Sequence, residues 1–145
     1  MLAAVPAGAG PAEDATAFIN GVMDKFNKGD AKSFVSAHED NAVIVDEFAP
    51  HVWVGAGAAQ RWMDDYARDS TANGVSGGRV DYGNAIQANS DGSTSYVVLP
   101  TTSRFMKQGK KMIAAGSMTF VVKRAGDAWK IASWTYSGAT AAPEK

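Results

Sequence analysis

Residues 93–137 constrain the fold most, because they predict three consecutive long β-strands joined by two tight turns. The run over 93–106 is rich in β-branched and aromatic residues and lacks a helical stripe. Turns at 107–111, where Gly109 can take a positive φ, and at 124–127 separate it from runs over 112–123 and 129–136. Three such strands form an antiparallel meander, which must bury one face against another layer.

The chain before this meander predicts the covering layer. Phe18, Val22 and Phe26 recur at helical spacing. The pattern predicts helices at 13–28, 31–38 and 58–69, a turn at 39–41, strands at 42–48, 51–54 and 79–89, and a glycine-rich loop at 71–78. Early helices and late strands favour an α+β fold, with the helices packed on one face of a strongly curved antiparallel sheet. Such a sheet forms a cone whose open mouth suits a small molecule.

Composition excludes several classes of function. A chain of 145 residues fits one domain, and 46% apolar with 20% charged residues is ordinary for a globular protein. The net charge is −1 and the basic residues are scattered, so we expect no nucleic-acid partner. No apolar run approaches the ~20 residues of a membrane span, so we expect no membrane partner. The absence of cysteine excludes disulfides and thiolate chemistry.

Both ends of the chain differ from the predicted domain over residues 13–138. Residues 1–12 are small and contain two prolines and two glycines. Either they are the remnant of a signal peptide, which would make the protein periplasmic or secreted, or they are a flexible tail of a cytoplasmic protein. Residues 139–145 are expected to form a C-terminal tail.

The ordered set of elements and residues resembles the nuclear-transport-factor-2-like superfamily, in particular its SnoaL-like and ketosteroid-isomerase-like bacterial members. The resemblance lies in residues 28–30 (Lys-Gly-Asp), residues 39–46 (Glu-Asp-Asn-Ala-Val-Ile-Val-Asp), Gly55, and residues 124–131 (Arg-Ala-Gly-Asp-Ala-Trp-Lys-Ile). It spans about residues 14–137, and it implies a cone-shaped curved antiparallel sheet wrapped on N-terminal helices. No single motif in the set is specific, and the superfamily hosts many functions.

The resemblance to ketosteroid isomerase implies a catalytic base at Asp46, because that enzyme carries a carboxylate at the end of the first strand. A carboxylate that faces an apolar cone is tuned toward proton transfer. The alternative is a strand-end carboxylate bonded to its own backbone. The oxyanion hole of that enzyme also needs a tyrosine near position 22 and an acid in the strand 112–123. This chain has Val22 and no acid there, so we expect no steroid isomerase activity.

Other candidates accompany Asp46. His51 is a second catalytic candidate, or else a loop histidine. Arg104 either binds an anionic ligand or lies exposed near the hairpin. His38 is expected to pack under the sheet or at a helix C-terminus. Large amphipathic rings collect in pockets, and the residues expected to line a ligand pocket besides Arg104 are Phe48, Trp62, Tyr66, Tyr96, Trp134 and Tyr136.

The last strand predicts a partner chain. Strict alternation places Trp134 and Tyr136 on one face and Trp129 and Ile131 on the other, so both faces would be apolar. We therefore expect a homodimer through the sheet face. The predicted function is binding of a small apolar or aromatic ligand, by a cofactor-independent isomerase, cyclase or lyase. The alternative is a non-catalytic dimerisation or ligand-sensing module. The histidine spacing gives no metal site, and we expect no cofactor.

Overall fold

Three helices pack against one face of a curved, unclosed sheet in the computed structural model, which describes residues 10–145. The strand order is β2-β1-β7-β6-β5-β3, with β4 paired to β5 and β8 to β6. The elements are α1 Pro11–Asn27, α2 Ala31–Ser36, β1 His38–Val45, β2 Val52–Trp53, α3 Ala58–Ala72, β3 Val75–Tyr82, β4 Gln87–Ser90, β5 Thr94–Lys107, β6 Lys110–Ala125, β7 Ala128–Gly138 and β8 Ala142–Pro143.

The predicted meander and the α+β class are confirmed. Strands β5, β6 and β7 pair antiparallel in sequence order, and Gly109 has a φ of 81° in the first turn. We call the face that packs on the helices the inner face. Its core side chains include Val97, Leu99 and Phe120, each fully buried. The alternate residues of the same strands form the outer face.

Strand β1 departs from the prediction in its start and its direction. Helix α2 ends at Ser36 and β1 begins at His38, so the predicted turn over residues 39–41 was wrong. The strand pairs parallel to β7, whereas every other strand pair in the described chain is antiparallel. A register irregularity between His38 and Val43 accommodates the polar segment. Nothing local in the sequence signals the direction of this strand.

Other elements differ as well. The single strand predicted over 79–89 was wrong, because this segment belongs to two strands, β3 and β4. Helix α3 continues to Ala72 and β3 starts at Val75, so the predicted loop at 71–78 was wrong. Residues 142–143 form β8 against β6, so the expected tail over 139–145 packs on the fold. Helix α1 starts at Pro11, and the rest of the segment expected as a tail or signal remnant, residues 1–9, lies outside the described residues. No helix within residues 10–145 has the length and apolarity to cross a membrane.

A bulge in β7 corrects the predicted faces of that strand. The register with β6 moves between Ser133 and Ile131, which leaves Ala132 without a partner of its own. The extra residue resets the alternation, so Ile131 and Trp134 both lie in the inner core, at 0% and 2% exposure. Trp129 packs against the same core. The two-sided apolar strand on which the homodimer prediction rested is therefore not present.

Asn27 ties the end of α1 to the edge strand of the sheet. Its side-chain amide donates to the Val80 carbonyl at 2.9 Å, and its carbonyl oxygen accepts from the Val80 N–H at 2.9 Å. These two bonds reproduce the pairing that another strand would make with that residue. Helix α1 is thus fixed over the inner face at the free side of β3.

The homodimer stays a prediction, and the outer face gives it a new basis. We propose that Val43, Val45 and Val52, which are 36–49% exposed on that face, contact a second copy.

Replacing Val45 with glutamate buries a charge in such an interface, so sedimentation velocity should show the variant as a monomer. Ala17→Glu, an exposed position on α1, is the control and should stay dimeric. A wild-type monomer at all concentrations would contradict the proposal.

Candidate functional site

A cavity of about 360 Å³ lies between the inner face of the sheet and the three helices. Its size is within the usual range for small-molecule sites. Eight aromatic residues line it, and they come from all three helices, from the segment after β1 and from β5 and β7: Phe26, Phe34, Phe48, Trp62, Tyr66, Phe105, Trp134 and Tyr136.

Asp46 is the buried carboxylate of this cavity. It follows β1 directly and continues the inward alternation of Ala42 and Ile44, so its side chain is only 9% exposed. Its Oδ1 accepts from the Glu47 N–H at 2.7 Å, and its Oδ2 accepts from the Trp62 indole N–H at 2.9 Å. Each oxygen therefore has one fixed donor and keeps acceptor capacity for a ligand.

The surroundings of Asp46 favour its protonated form. Burial raises the pKa of the Asp46 carboxyl above its ordinary value, and the charge of Asp69 raises it further. The two hydrogen bonds oppose this shift without cancelling it. A carboxylate in such a setting accepts a proton more readily than one in water, which is the property of a general base.

The indole groups around Asp46 are held by specific acceptors. Trp62 packs edge-on against Trp134, with ring centroids 5.0 Å apart. The Trp134 N–H donates to His38 Nε2 at 2.9 Å, and His38 Nδ1 lies 2.8 Å from the Phe34 carbonyl. The carbonyl can only accept, so His38 carries its proton on Nδ1. Burial lowers the pKa of His38 to about 4, and the ring is neutral. His38 thus positions Trp134 and, through it, Trp62.

Two phenols also line the cavity, from Tyr66 and Tyr136. Burial raises the pKa of Tyr66 and of Tyr136, and the negative charge of Asp46 adds to both shifts. Both hydroxyls therefore stay protonated and can donate. A Cβ at Gly78 would lie 2.5 Å from the Tyr66 hydroxyl, so only glycine allows Tyr66 this position. Ser103 Oγ lies 3.3 Å from the Tyr136 hydroxyl oxygen and donates to it.

The structure places most of the predicted site residues on the cavity. Asp46 and Arg104 border it, as do five of the six predicted aromatic residues, Phe48, Trp62, Tyr66, Trp134 and Tyr136. Tyr96 does not, and its prediction was wrong. It pairs with Val121 on the outer face and is 41% exposed, because the odd-numbered residues around it, Ser95 and Val97, point inward.

His51 and Arg104 do not direct their charged or polar ends into the cavity. His51 is exposed in the loop before β2 with a φ of 72°, and its Nδ1 contacts the Asp46 carbonyl oxygen at 3.1 Å. His51 therefore positions the Asp46 backbone and does not line the cavity, contrary to its expected place in the site. Arg104 pairs with Asp81 and Glu144, so its guanidinium is occupied.

Sequence reasoning missed Glu47 and Asp69, two exposed carboxylates that also line the cavity. Burial and the charge of Asp46 raise the pKa of Glu47. In a continued strand, Glu47 would lie on the opposite face from Asp46. However, β1 ends at Val45, so the alternation of a strand no longer applies at Glu47. Asp69 lies near the end of α3, and nothing in its spacing signals the cavity. Within residues 10–145 no three His, Cys, Asp or Glu side chains gather closely enough to hold a metal ion.

His38 should make stability depend on pH. In the unfolded chain it binds a proton as the pH falls through about 6.5, but in the fold it does so only near pH 4. The free energy of unfolding should therefore fall by about 3 kcal/mol across this window and change no further from this source below it. His38→Gln keeps an acceptor for Trp134 and does not titrate.

Urea unfolding between pH 7 and 4 measures this effect. The difference between wild type and His38→Gln should shrink or reverse as the pH falls. His51→Asn, at the other histidine, is the control and should follow wild type. Parallel curves for His38→Gln and wild type would show that the buried ring does not resist protonation.

A family model described as a SnoaL-like domain matches residues 16–142. No curated protein matches. A putative scytalone dehydratase from Novosphingobium aromaticivorans has a TM-score of 0.71 at 7% identity, over 91% of this chain and 86% of that one.

Two other solved structures share the fold. A hexachlorocyclohexane dehydrochlorinase, LinA type 3, from Novosphingobium barchaimii has a TM-score of 0.70 at 12% identity, over 90% of each chain. A ketosteroid isomerase-like protein from Erwinia carotovora has a TM-score of 0.65 at 17% identity, over 86% of this chain and 93% of that one. These identities establish the fold alone, and the family match establishes that the chain belongs to the SnoaL-like domain family.

Proposed function

We propose that this protein is a cofactor-independent enzyme that removes a proton from a carbon atom of a small, largely apolar substrate. The observation that carries the proposal is the Asp46 carboxylate, buried in an aromatic cavity and raised in pKa by that burial. A base of this kind is strongest where water is excluded and where its orientation is fixed. Trp62 and the Glu47 backbone supply that orientation.

The phenols supply the complementary role. When Asp46 takes a proton from carbon, negative charge develops elsewhere on the substrate, either on an oxygen or on a departing group. Tyr66 and Tyr136 both carry protons that can be donated to that charge. In an elimination, the electron pair left on carbon forms a double bond as the leaving group departs, and Asp46 releases the proton to solvent. In an isomerisation, the electron pair forms an enolate, and Asp46 returns the proton to a different carbon. The tyrosine and the acid that form the oxyanion hole of ketosteroid isomerase have no counterpart here, because position 22 is valine and β6 contains no acid.

The names of three structural neighbours indicate the same class of reaction, which supports the proposal. One is named as a putative dehydratase, one as a dehydrochlorinase and one as an isomerase-like protein. Dehydration and dehydrochlorination are eliminations, and ketosteroid isomerisation is a proton transfer at carbon. The identities are low, so the support extends to the class of step and not to a substrate.

Deuterium exchange tests the proposal without knowledge of the natural substrate. Apolar ketones, nitriles and halides with an activated C–H bond are incubated with the enzyme in D2O, and NMR follows the loss of the C–H signal. Asp46→Asn should lower the enzyme-catalysed exchange rate by about 10²- to 10⁴-fold. The wild-type rate should also fall as the pH drops through the raised pKa of Asp46, because the protonated carboxyl cannot accept a proton.

Asp127→Asn, in the exposed turn between β6 and β7, is the matched control and should exchange like wild type. Equal rates for Asp46→Asn and wild type would remove Asp46 as the base. Ligand binding without any exchange across the whole panel would instead favour a ligand-sensing module.

A further inference from the structure

Acidic residues outnumber basic ones on the cavity that holds Asp46. Three carboxylates line it, from Asp46, Glu47 and Asp69. Asp46 is buried, whereas Glu47 and Asp69 are exposed to solvent. A ligand that enters the cavity from water therefore meets carboxylates on its wall. Their combined charge attracts cations and repels anions, and the low-dielectric wall strengthens the effect.

The positive side chains at the same cavity are already neutralised. Arg79 pairs with Asp81, with Nε 2.9 Å from Oδ1. Arg104 pairs with the other oxygen of Asp81 at 3.2 Å and with Glu144. Two arginines and two acids give this group a net charge of zero. Arg104 also alternates to the outer face, because its neighbours Ser103 and Phe105 pair with the inward residues of β6.

No other cation within residues 10–145 balances the three carboxylates. Among the described residues, neither lysine nor histidine lines the cavity. The carboxylates also act on one another, since the charge of Asp69 raises the pKa of Asp46 and the charge of Asp46 raises that of Glu47. Repulsion of this kind is relieved when a positive group enters between them. The aromatic faces of the wall add attraction for a cation and none for an anion.

We propose that the cavity selects ligands that carry a positive charge, namely a protonated amine or a quaternary ammonium attached to an aromatic or alicyclic body. The body occupies the aromatic wall, and the cationic group lies toward Glu47 and Asp69. This inference deepens the proposed function, because it assigns the substrate class of the same cavity. It also disfavours carboxylic acids as ligands, in contrast to the anion-binding alternative for Arg104.

Three probes with the same ring system and different charge test the inference: naphthylmethylamine, naphthylmethanol and naphthoate. Isothermal titration calorimetry gives the affinity of each probe for the wild-type protein. The amine should bind roughly tenfold or more tightly than the alcohol, and naphthoate should bind most weakly. Added salt should weaken amine binding and leave alcohol binding unchanged, because only the former depends on exposed charge.

The double variant Glu47→Gln/Asp69→Asn should lose most of the preference for the amine while it keeps its affinity for the alcohol. Asp127→Asn removes a carboxylate far from the cavity and should keep the wild-type preference. Naphthoate binding as tight as amine binding, a preference that survives in the double variant, or no binding of any probe would overturn the inference. If the alcohol binds as tightly as the amine, the charge preference is overturned but the proton-transfer proposal is not. If the amine binds more tightly but no C–H exchange occurs, the proton-transfer proposal is overturned but the charge preference is not.

Discussion

Ala132 is the extra residue of a bulge, and the inner face of the sheet depends on it. In a regular strand without the bulge, Ile131 and Trp134 are three positions apart and would lie on opposite faces of β7, so one of them would leave the core. With the bulge, Ile131 is buried beside the start of β1, where it pairs with His38, while Trp134 reaches the cavity. The irregularity of β1 falls opposite the same point, between His38 and Val43. Two strands thus bend together, which curves the sheet around the helices.

The same curvature brings the chemical groups of the cavity together. His38, at the start of β1, accepts from Trp134 on β7, and Trp134 packs on Trp62 from α3. Trp62 then donates to Asp46, at the end of β1. These contacts connect the start of β1 to its end through the two indoles, so each ring is held on two sides. Pre-organisation of this kind spares a site the cost of ordering its groups when a ligand binds.

The sequence predicts the meander well because period-two alternation over β5 and β6 is undisturbed. It also predicts Asp46, because the resemblance to ketosteroid isomerase places a carboxylate at the end of the first strand. Five aromatic residues of the cavity were predicted because large amphipathic rings collect in pockets. Alternation alone cannot tell which face is inner, and Tyr96 was misplaced for this reason. It also cannot reveal a bulge, which is why Ile131 was placed on the wrong side. The two exposed acids of the cavity, Glu47 and Asp69, come from segments that meet only in the fold.

The contact between Asn27 and Val80 protects the edge of the sheet at β3. Strand β3 is the last strand of the main order, and an unpaired edge is a template for fibril growth. The Asn27 amide occupies both backbone groups of Val80, and the register of β3 is already broken between Ser76 and Arg79. An incoming strand would find neither a continuous row of free groups nor a straight edge. One amide side chain, contributed by a helix, thereby helps to keep a sheet with long strands from polymerising along its edge.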